Sequence, residues 1–274
     1  MNYELFCIFA PNMDYTINVR GRLLSFSEPQ VMGILNVTPD SFYATSRAET
    51  KQAVLEHARR LSVQGAAIID IGACSTRPGA SLSTEAEETE RLRMALRIVR
   101  NDMPDAVLSV DTFRPEVAAM AVKEFGVDII NDVSGGSTDM FRLVSRLQVP
   151  YVLTSVKPTV HDILLDFAEK VQQLRDLGQN DIILDPGFGF GKTVEQNYEV
   201  MNRLEKLQVM ELPMLVGISR KSMIWKTLDV TPDEALNGTT ALNAIALTKG
   251  ASILRVHDVR EAVECCKIVN QLKS

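Results

Sequence analysis

Cysteine is scarce in this chain, with four residues among 274: Cys7, Cys74, Cys265 and Cys266. None forms a C-x-x-C pair, and the adjacent Cys265 and Cys266 suit neither a zinc knuckle nor an easy disulfide. Reduced thiols and a cytoplasmic protein are therefore expected. No apolar run reaches the roughly 18 residues of a membrane span. The short stretch Leu5 to Ala10 follows Glu4 without a basic region, so it is not read as a signal peptide. Positive charge is also in deficit, 29 Lys and Arg against 35 Asp and Glu, for a net charge of -6. That balance argues against nonspecific nucleic-acid binding and against docking on an anionic membrane. No linker, low-complexity tract or charge run divides the chain. The first 13 residues read as a leader, and residues 14–274 as one domain.

Hydrophobic residues make up 46% and charged residues 23%, the balance of a globular enzyme with a sizeable core. The segment DYTINVRGRLLSFSEP has the alternation and Arg-Gly turn of a β-hairpin. After it, short β-branched runs alternate eight times with segments of helical period. The runs are QVMGIL (30–35), AIIDIG (67–72), VLSV (107–110), DIIN (128–131), YVL (151–153), DIIL (181–184), MLVG (214–217) and SILRV (252–256). Helical periods lie near 49–64, 84–101, 115–125, 139–147, 160–177, 194–208, 234–249 and 258–272. Pro115 sits just inside a helix start, and Gly126 and Gly178 sit just past helix ends. The strands are almost wholly apolar, so both faces of a parallel sheet are covered. The expected fold is α/β, a (β/α)8 TIM barrel with an N-terminal β-hairpin. An open doubly wound sheet would carry the same periodicity.

Barrel active sites form at the C-terminal ends of the strands. Here those ends carry Asn36, CSTRPGA, Asp111-Thr112, Asn131-Asp132, Asp185 with PGFGFGKT, ISRKSM, and Arg255-Val256-His257-Asp258. Asp111, Asn131 and Asp185 provide acceptors for a flat heterocycle rich in N–H donors. Arg77, Arg220, Lys221, Arg255 and His257 put positive charge into an acidic protein, which suits an anionic, phosphate-bearing substrate. Asn36 could ligate Mg²⁺ together with substrate oxygens. Other signals fail. GFGFGKT has Pro186 where a P-loop needs its first glycine, and Gly187, Gly189 and Gly191 do not fit G-x-G-x-x-G. Ser75, Ser219 and Ser222 have no neighbouring histidine in the sequence. His57 reads as a surface residue, His161 as close to a helix cap, and Asp70 as a buried structural acceptor.

The segments GILNVTPDSF, IIDIGACSTRPGA, LSVDTFRPEVA, IINDVSGG, IILDPGFGFGKTVEQNY, GISRKSMI and LRVHDV together resemble the dihydropteroate synthases, in order from about residue 20 to the C-terminus. The resemblance implies condensation of 6-hydroxymethyl-7,8-dihydropterin pyrophosphate with 4-aminobenzoate, Mg²⁺ as cofactor, and a homodimer. It implies that Asp111, Asn131, Asp185 and Lys221 hold the pterin, and that Asn36, Arg255 and His257 hold the pyrophosphate, with Asn36 toward Mg²⁺. Thr76, Pro78, Phe190, Lys221 and Ser222 would shape the aminobenzoate pocket, and Asp40 and Arg77 would close over the reacting centre. Two departures stand out. The first loop lacks the Asp-Gly-Gly common in the family, and Thr154-Ser155-Val156 replaces the usual Met-His-Met. A pterin-binding methyltransferase and a pterin-binding paralogue without turnover are the competing readings. SRKSM and RVHD favour the synthase.

Overall fold

The computed structural model describes residues 14–37, 47–74 and 83–272. Two short strands, β1 (Thr16–Val19) and β2 (Arg22–Ser25), form the antiparallel hairpin that the Arg20-Gly21 turn predicts. The parallel strands are β3 (Gln30–Asn36), β4 (Ile68–Gly72), β5 (Val107–Asp111), β6 (Ile129–Asp132), β7 (Tyr151–Thr154), β8 (Ile182–Asp185), β9 (Leu215–Val216) and β10 (Ile253–Val256). They run in ring order, with β10 lying between β9 and β3. A parallel bridge from Leu184 to Met214, in which the Leu184 N–H donates to the Pro213 carbonyl at 2.9 Å, joins β8 to the β9 segment and closes the barrel.

Helices follow the strands: α1 (Arg47–Val63), α2 (Glu85–Asp102), α3 (Pro115–Phe125), α4 (Thr138–Leu147), α5 (Val160–Asp176), α6 (Val194–Asn202), α7 (Ser222–Leu228), α8 (Leu236–Thr248) and α9 (Val259–Gln271). Their ends obey local chemistry. Pro115 opens α3 and Gly126 closes it in the left-handed conformation. Thr84 and Glu87 form a capping box on α2, as Thr193 and Gln196 do on α6. Two expectations are corrected and one helix is added. The helical period over 194–208 breaks at Arg203 and continues as a 3-10 segment, Leu204–Met210, tied down by Lys249 through the Asn202 carbonyl and Glu205. The short helix α7, with no side-chain cap at Lys221, was not legible as a separate element. His57 is half-buried on α1, and burial pushes its pKa down to about 4.

The barrel interior is built by period-2 alternation. Met32, Ile68, Ile129, Val152, Ile183, Leu215 and Ile253 form one apolar cluster with Ile17, Val19 and Phe26 of the hairpin region, and Val107 packs against it. The hairpin thus stoppers the N-terminal end of the barrel. It is fastened there by Arg20, which pairs with Asp128 at 2.6 Å and donates to the Pro104 and Ala106 carbonyls. The buried Asp128 carboxylate also accepts from Arg100 at 3.2 Å and from the Leu108 N–H at 2.8 Å.

Asp128→Ala should therefore cost about 3–5 kcal/mol, because the mostly buried Arg100 loses its carboxylate and the Leu108 N–H its acceptor. Arg20→Ala should cost about 1 kcal/mol, since Arg20 is 42% exposed and Arg100 still faces the carboxylate. Thermal unfolding checks both, and kcat/KM should hold in Arg20→Ala; equal losses of stability would contradict the assignment.

Candidate active site

Two residues along from the apolar floor, each strand turns another side chain inward: Ile34, Asp70, Ser109, Asn131, Thr154, Asp185, Gly217 and Arg255. Six of these eight are polar or charged, so a polar tier sits directly on the apolar one. Arg255 ties it together. Its Nε donates to Asp70 Oδ2 at 2.7 Å and its Nη2 to Asp111 Oδ2 at 2.6 Å. Asn131 Nδ2 donates to the same Asp70 oxygen at 3.0 Å. Asp70 is thus the buried acceptor expected from its mid-strand position, yet it is what orients Arg255 and Asn131. That role was missed, because a single Asp in an apolar strand reads as structural.

The tier is not satisfied internally. Asp70 Oδ1, Ser109 Oγ, Asn131 Oδ1 and Thr154 Oγ1 are buried with no hydrogen-bond partner among the described residues. Buried polar atoms are nearly always paired. Four orphans on one inward face describe a cup suited to a polar guest. Gly72, at the end of β4, leaves room beside it: a Cβ there would lie 3.5 Å from Asn36 Oδ1 and 3.5 Å from Asp111 Cβ. Asn36 and Asp111 therefore flank the mouth together.

Charge in the cup is strongly perturbed. Burial raises the Asp111 pKa to about 7, against the pull of Arg255 and with help from Asp70. Burial also raises Asp185, opposed by Lys221 and by the Gly187 N–H, which donates to Asp185 Oδ1 at 2.8 Å. Lys221 is pushed down to about 8 by burial, which Asp185 opposes. For Arg255 burial works against the cation, but Asp70 and Asp111 outweigh it and the guanidinium stays charged.

The glycine-rich segment after β8 forms a wall rather than a phosphate loop. Gly187, Gly189 and Gly191 all have positive φ. A Cβ on Gly187 would lie 2.1 Å from the Ser155 carbonyl, so only glycine fits. Asn197 accepts from the Gly189 N–H at 2.7 Å, and Lys192 Nζ donates to the Ser155 and Gly187 carbonyls at 3.2 and 3.0 Å. Lys221 Nζ lies 4.6 Å over the Phe190 ring and donates to the Phe188 carbonyl. The structure thus brings Phe190, Lys221 and the helix start at Ser222 into one corner.

At the ends of β9 and β10, Ser219 Oγ lies 3.2 Å from His257 Nδ1, a pairing hidden by 38 positions of sequence separation. Arg220, expected as an open cation, instead spends its charge on Asp258 through bonds of 2.9 and 2.8 Å. Behind Asp111, Thr112 donates to the buried Glu88 at 2.7 Å, and Arg114 pairs with Glu88 and reaches the Ser83 carbonyl. Asp40, Thr76, Arg77 and Pro78 lie outside the described residues. Among the described residues no cluster of three or more His, Cys, Asp or Glu could hold a metal ion, and no helix is long and apolar enough to cross a membrane.

Comparison with known proteins agrees with this fold. The family described as pterin binding enzyme matches residues 32–257. The dihydropteroate synthase of Clostridium beijerinckii is 39% identical over 251 residues, covering 88% of this chain and 93% of that protein. The dihydropteroate synthase of Xanthomonas albilineans, solved with 4-aminobenzoic acid, superposes with a TM-score of 0.87 at 34% identity, over 94% of this chain and 98% of its own. The Clostridium difficile enzyme, solved in the presence of pteroic acid, gives a TM-score of 0.85 at 34% identity, over 89% of this chain and 97% of its own.

The Asp111 carboxyl provides a direct test. Its folded pKa, about 7, lies above the ordinary carboxylate value of roughly 4. Between those pH values the folded state holds the extra proton, so Asp111 contributes stability at low pH that is lost as pH rises through 7. Denaturant unfolding of Asp111→Asn should show the variant gaining on the wild type from pH 5 to pH 8. Parallel stability profiles for the two proteins would refute the shift.

Proposed function

The chain belongs to the pterin-binding enzymes, among the dihydropteroate synthases, and on that membership we propose how its own residues divide the work. The reaction condenses 6-hydroxymethyl-7,8-dihydropterin pyrophosphate with 4-aminobenzoate to 7,8-dihydropteroate and pyrophosphate. The observation that carries the assignment of residues is the cup of orphaned polar atoms on Asp70, Ser109, Asn131 and Thr154, beside the carboxyls of Asp111 and Asp185.

Asp111, Asn131 and Asp185 accept the N–H donors along one edge of the pterin, with Lys221 alongside. Asn36, Arg255 and His257 take the pyrophosphate end. Phe190, Lys221 and Ser222 form the described part of the aminobenzoate pocket, to which the family resemblance adds Thr76 and Pro78, and Asp40 and Arg77 close over the reacting centre. In the reaction the bond from the pterin methylene to the pyrophosphate oxygen breaks, its electron pair leaving with pyrophosphate. The arylamine lone pair closes on the methylene carbon and one N–H proton is released. Being uncharged at neutral pH, the arylamine needs no strong base. The difficulty lies in expelling a polyanion while positive charge spreads into the ring. Asp111 and Asp185 favour that ring cation, and Arg255 and His257 favour the leaving group. The ion pairs of Arg255 with Asp70 and Asp111 fix its guanidinium before substrate arrives, so little reorganisation is left for the transition state.

The residues present fit Mg²⁺ held mainly by substrate. Asn36 offers one uncharged oxygen beside Asp111, and no all-protein cluster competes among the described residues. When bound, Mg²⁺ would neutralise charge on the departing pyrophosphate.

A coupled pyrophosphate-release assay with both substrates tests the assignment. Wild type should turn over, and Asp185→Asn should lose about 10- to 150-fold in kcat/KM through roughly 1.5–3 kcal/mol of lost charged hydrogen bonding, while remaining folded. Unchanged kcat/KM would remove Asp185 from the site. Thr154→Met, which restores the residue usual in the family, should change pterin affinity by no more than about 1.5 kcal/mol. Wild type inert with Thr154→Met active would instead identify a pterin-binding paralogue without turnover.

A further inference from the structure

From the contacts of Ser219 we infer that it is a positioning residue that fixes the tautomer of His257, leaving Nδ1 bare and placing the ring proton on Nε2. Ser219 lies in the segment between β9 and α7, and it is 6% exposed. Its Oγ makes two contacts with His257. The His257 backbone N–H donates to it at 3.2 Å, and the ring Nδ1 lies 3.2 Å away.

The backbone amide can only donate, so Oγ accepts there. A serine hydroxyl has one proton, and a buried hydroxyl proton without an acceptor is costly. Among the described residues Nδ1 is the acceptor that this proton reaches. Ser219 therefore donates to Nδ1, Nδ1 carries no hydrogen, and Nε2 becomes a donor. The pairing is held rigidly, because Arg220 and Asp258, the next residues in both segments, are joined by two further bonds. A donor fixed at Nε2 suits an anion such as a phosphoryl oxygen. This functional half rests on the proposed place of His257 at the pyrophosphate end.

The test combines nitrogen-15 NMR of the histidine rings with calorimetry, using inorganic pyrophosphate and unphosphorylated hydroxymethylpterin as probes. In the wild type His257 Nδ1 should resonate as a bare, pyridine-like nitrogen. Ser219→Ala should mix the tautomers and weaken pyrophosphate about 5- to 10-fold, the scale of one neutral hydrogen bond, while hydroxymethylpterin binds as before. Ser219→Thr should restore both readouts, and in a His257→Ala background Ser219→Ala should add nothing. A protonated Nδ1 in the wild type, or a tautomer unmoved by Ser219→Ala, overturns the inference. A bare Nδ1 together with unchanged pyrophosphate affinity in His257→Ala would leave the tautomer standing and overturn the placement of His257 at the anion.

Discussion

A guanidinium set inside the barrel against two carboxylates is the interaction on which the rest of the site depends. Arg255 stands on β10, Asp70 on β4 and Asp111 on β5, and none of these carboxylate strands neighbours β10 in the ring. The side chain therefore crosses the interior and braces the mouth from within. Removing one partner from such a buried arrangement leaves an uncompensated charge, which is far costlier than losing a surface pair. Asp70 cannot then be replaced as a spectator, although it stands beneath the mouth. Burial is what lifts Asp111 to about 7, with a smaller push from Asp70 and against the pull of the Arg255 guanidinium.

The two ends of the barrel solve opposite problems with the same alternation. Below, one apolar residue per strand meets the hairpin, and Ile17, Val19 and Phe26 cover what would otherwise be exposed interior. The charges at that end, Arg20, Arg100 and Asp128, are spent on one another and on backbone groups. Above, two residues further along each strand, the charges are only partly spent. Conserving energy at the floor and leaving hydrogen-bonding capacity at the mouth is the division expected of this architecture, in which the C-terminal face does the chemistry.

The sequence made the scaffold far more legible than the cup. All eight barrel strands were visible as apolar runs, because strands covered on both faces need no alternation that could be confused with loops. Helix boundaries at Pro115 and Gly126 followed from rules that act within a few residues. The polar tier was hidden by that same uniformity. Ser109 in VLSV and Asp70 in IIDIG are single polar residues in apolar surroundings, and only closure of the ring shows that they face one another's neighbours. The Ser219–His257 and Arg220–Asp258 contacts join segments 38 residues apart, which no local pattern reports. Arg220 was thus open charge in the sequence and spent charge in the fold. The strand-end residues Asn36, Asp111, Asn131, Asp185 and Arg255 were readable because topology alone places them at one mouth.

Thr154 and Ser155, which stand where the resembled family usually has Met-His, are sent in opposite directions by the strand. By alternation Thr154 faces inward and Ser155 outward, and the two hydroxyls meet different fates. Ser155 Oγ donates to Asp166 on α5 at 2.6 Å, and Asp166 is held in turn by Lys170, so this side chain is absorbed into the packing behind the strand. Thr154 Oγ1 has no hydrogen-bond partner among the described residues. The main chain of Ser155 carries contacts of its own. The Ser155 N–H donates to the Asp185 carbonyl at 2.8 Å, its own carbonyl accepts from Lys192, and Gly187 packs against it too closely for any side chain. The wall that positions Asp185 and Phe190 is therefore built on main-chain atoms of β7, whatever side chains that strand carries. The side chain at 154 lines the cup, while the wall beside Asp185 rests on main-chain contacts of Ser155.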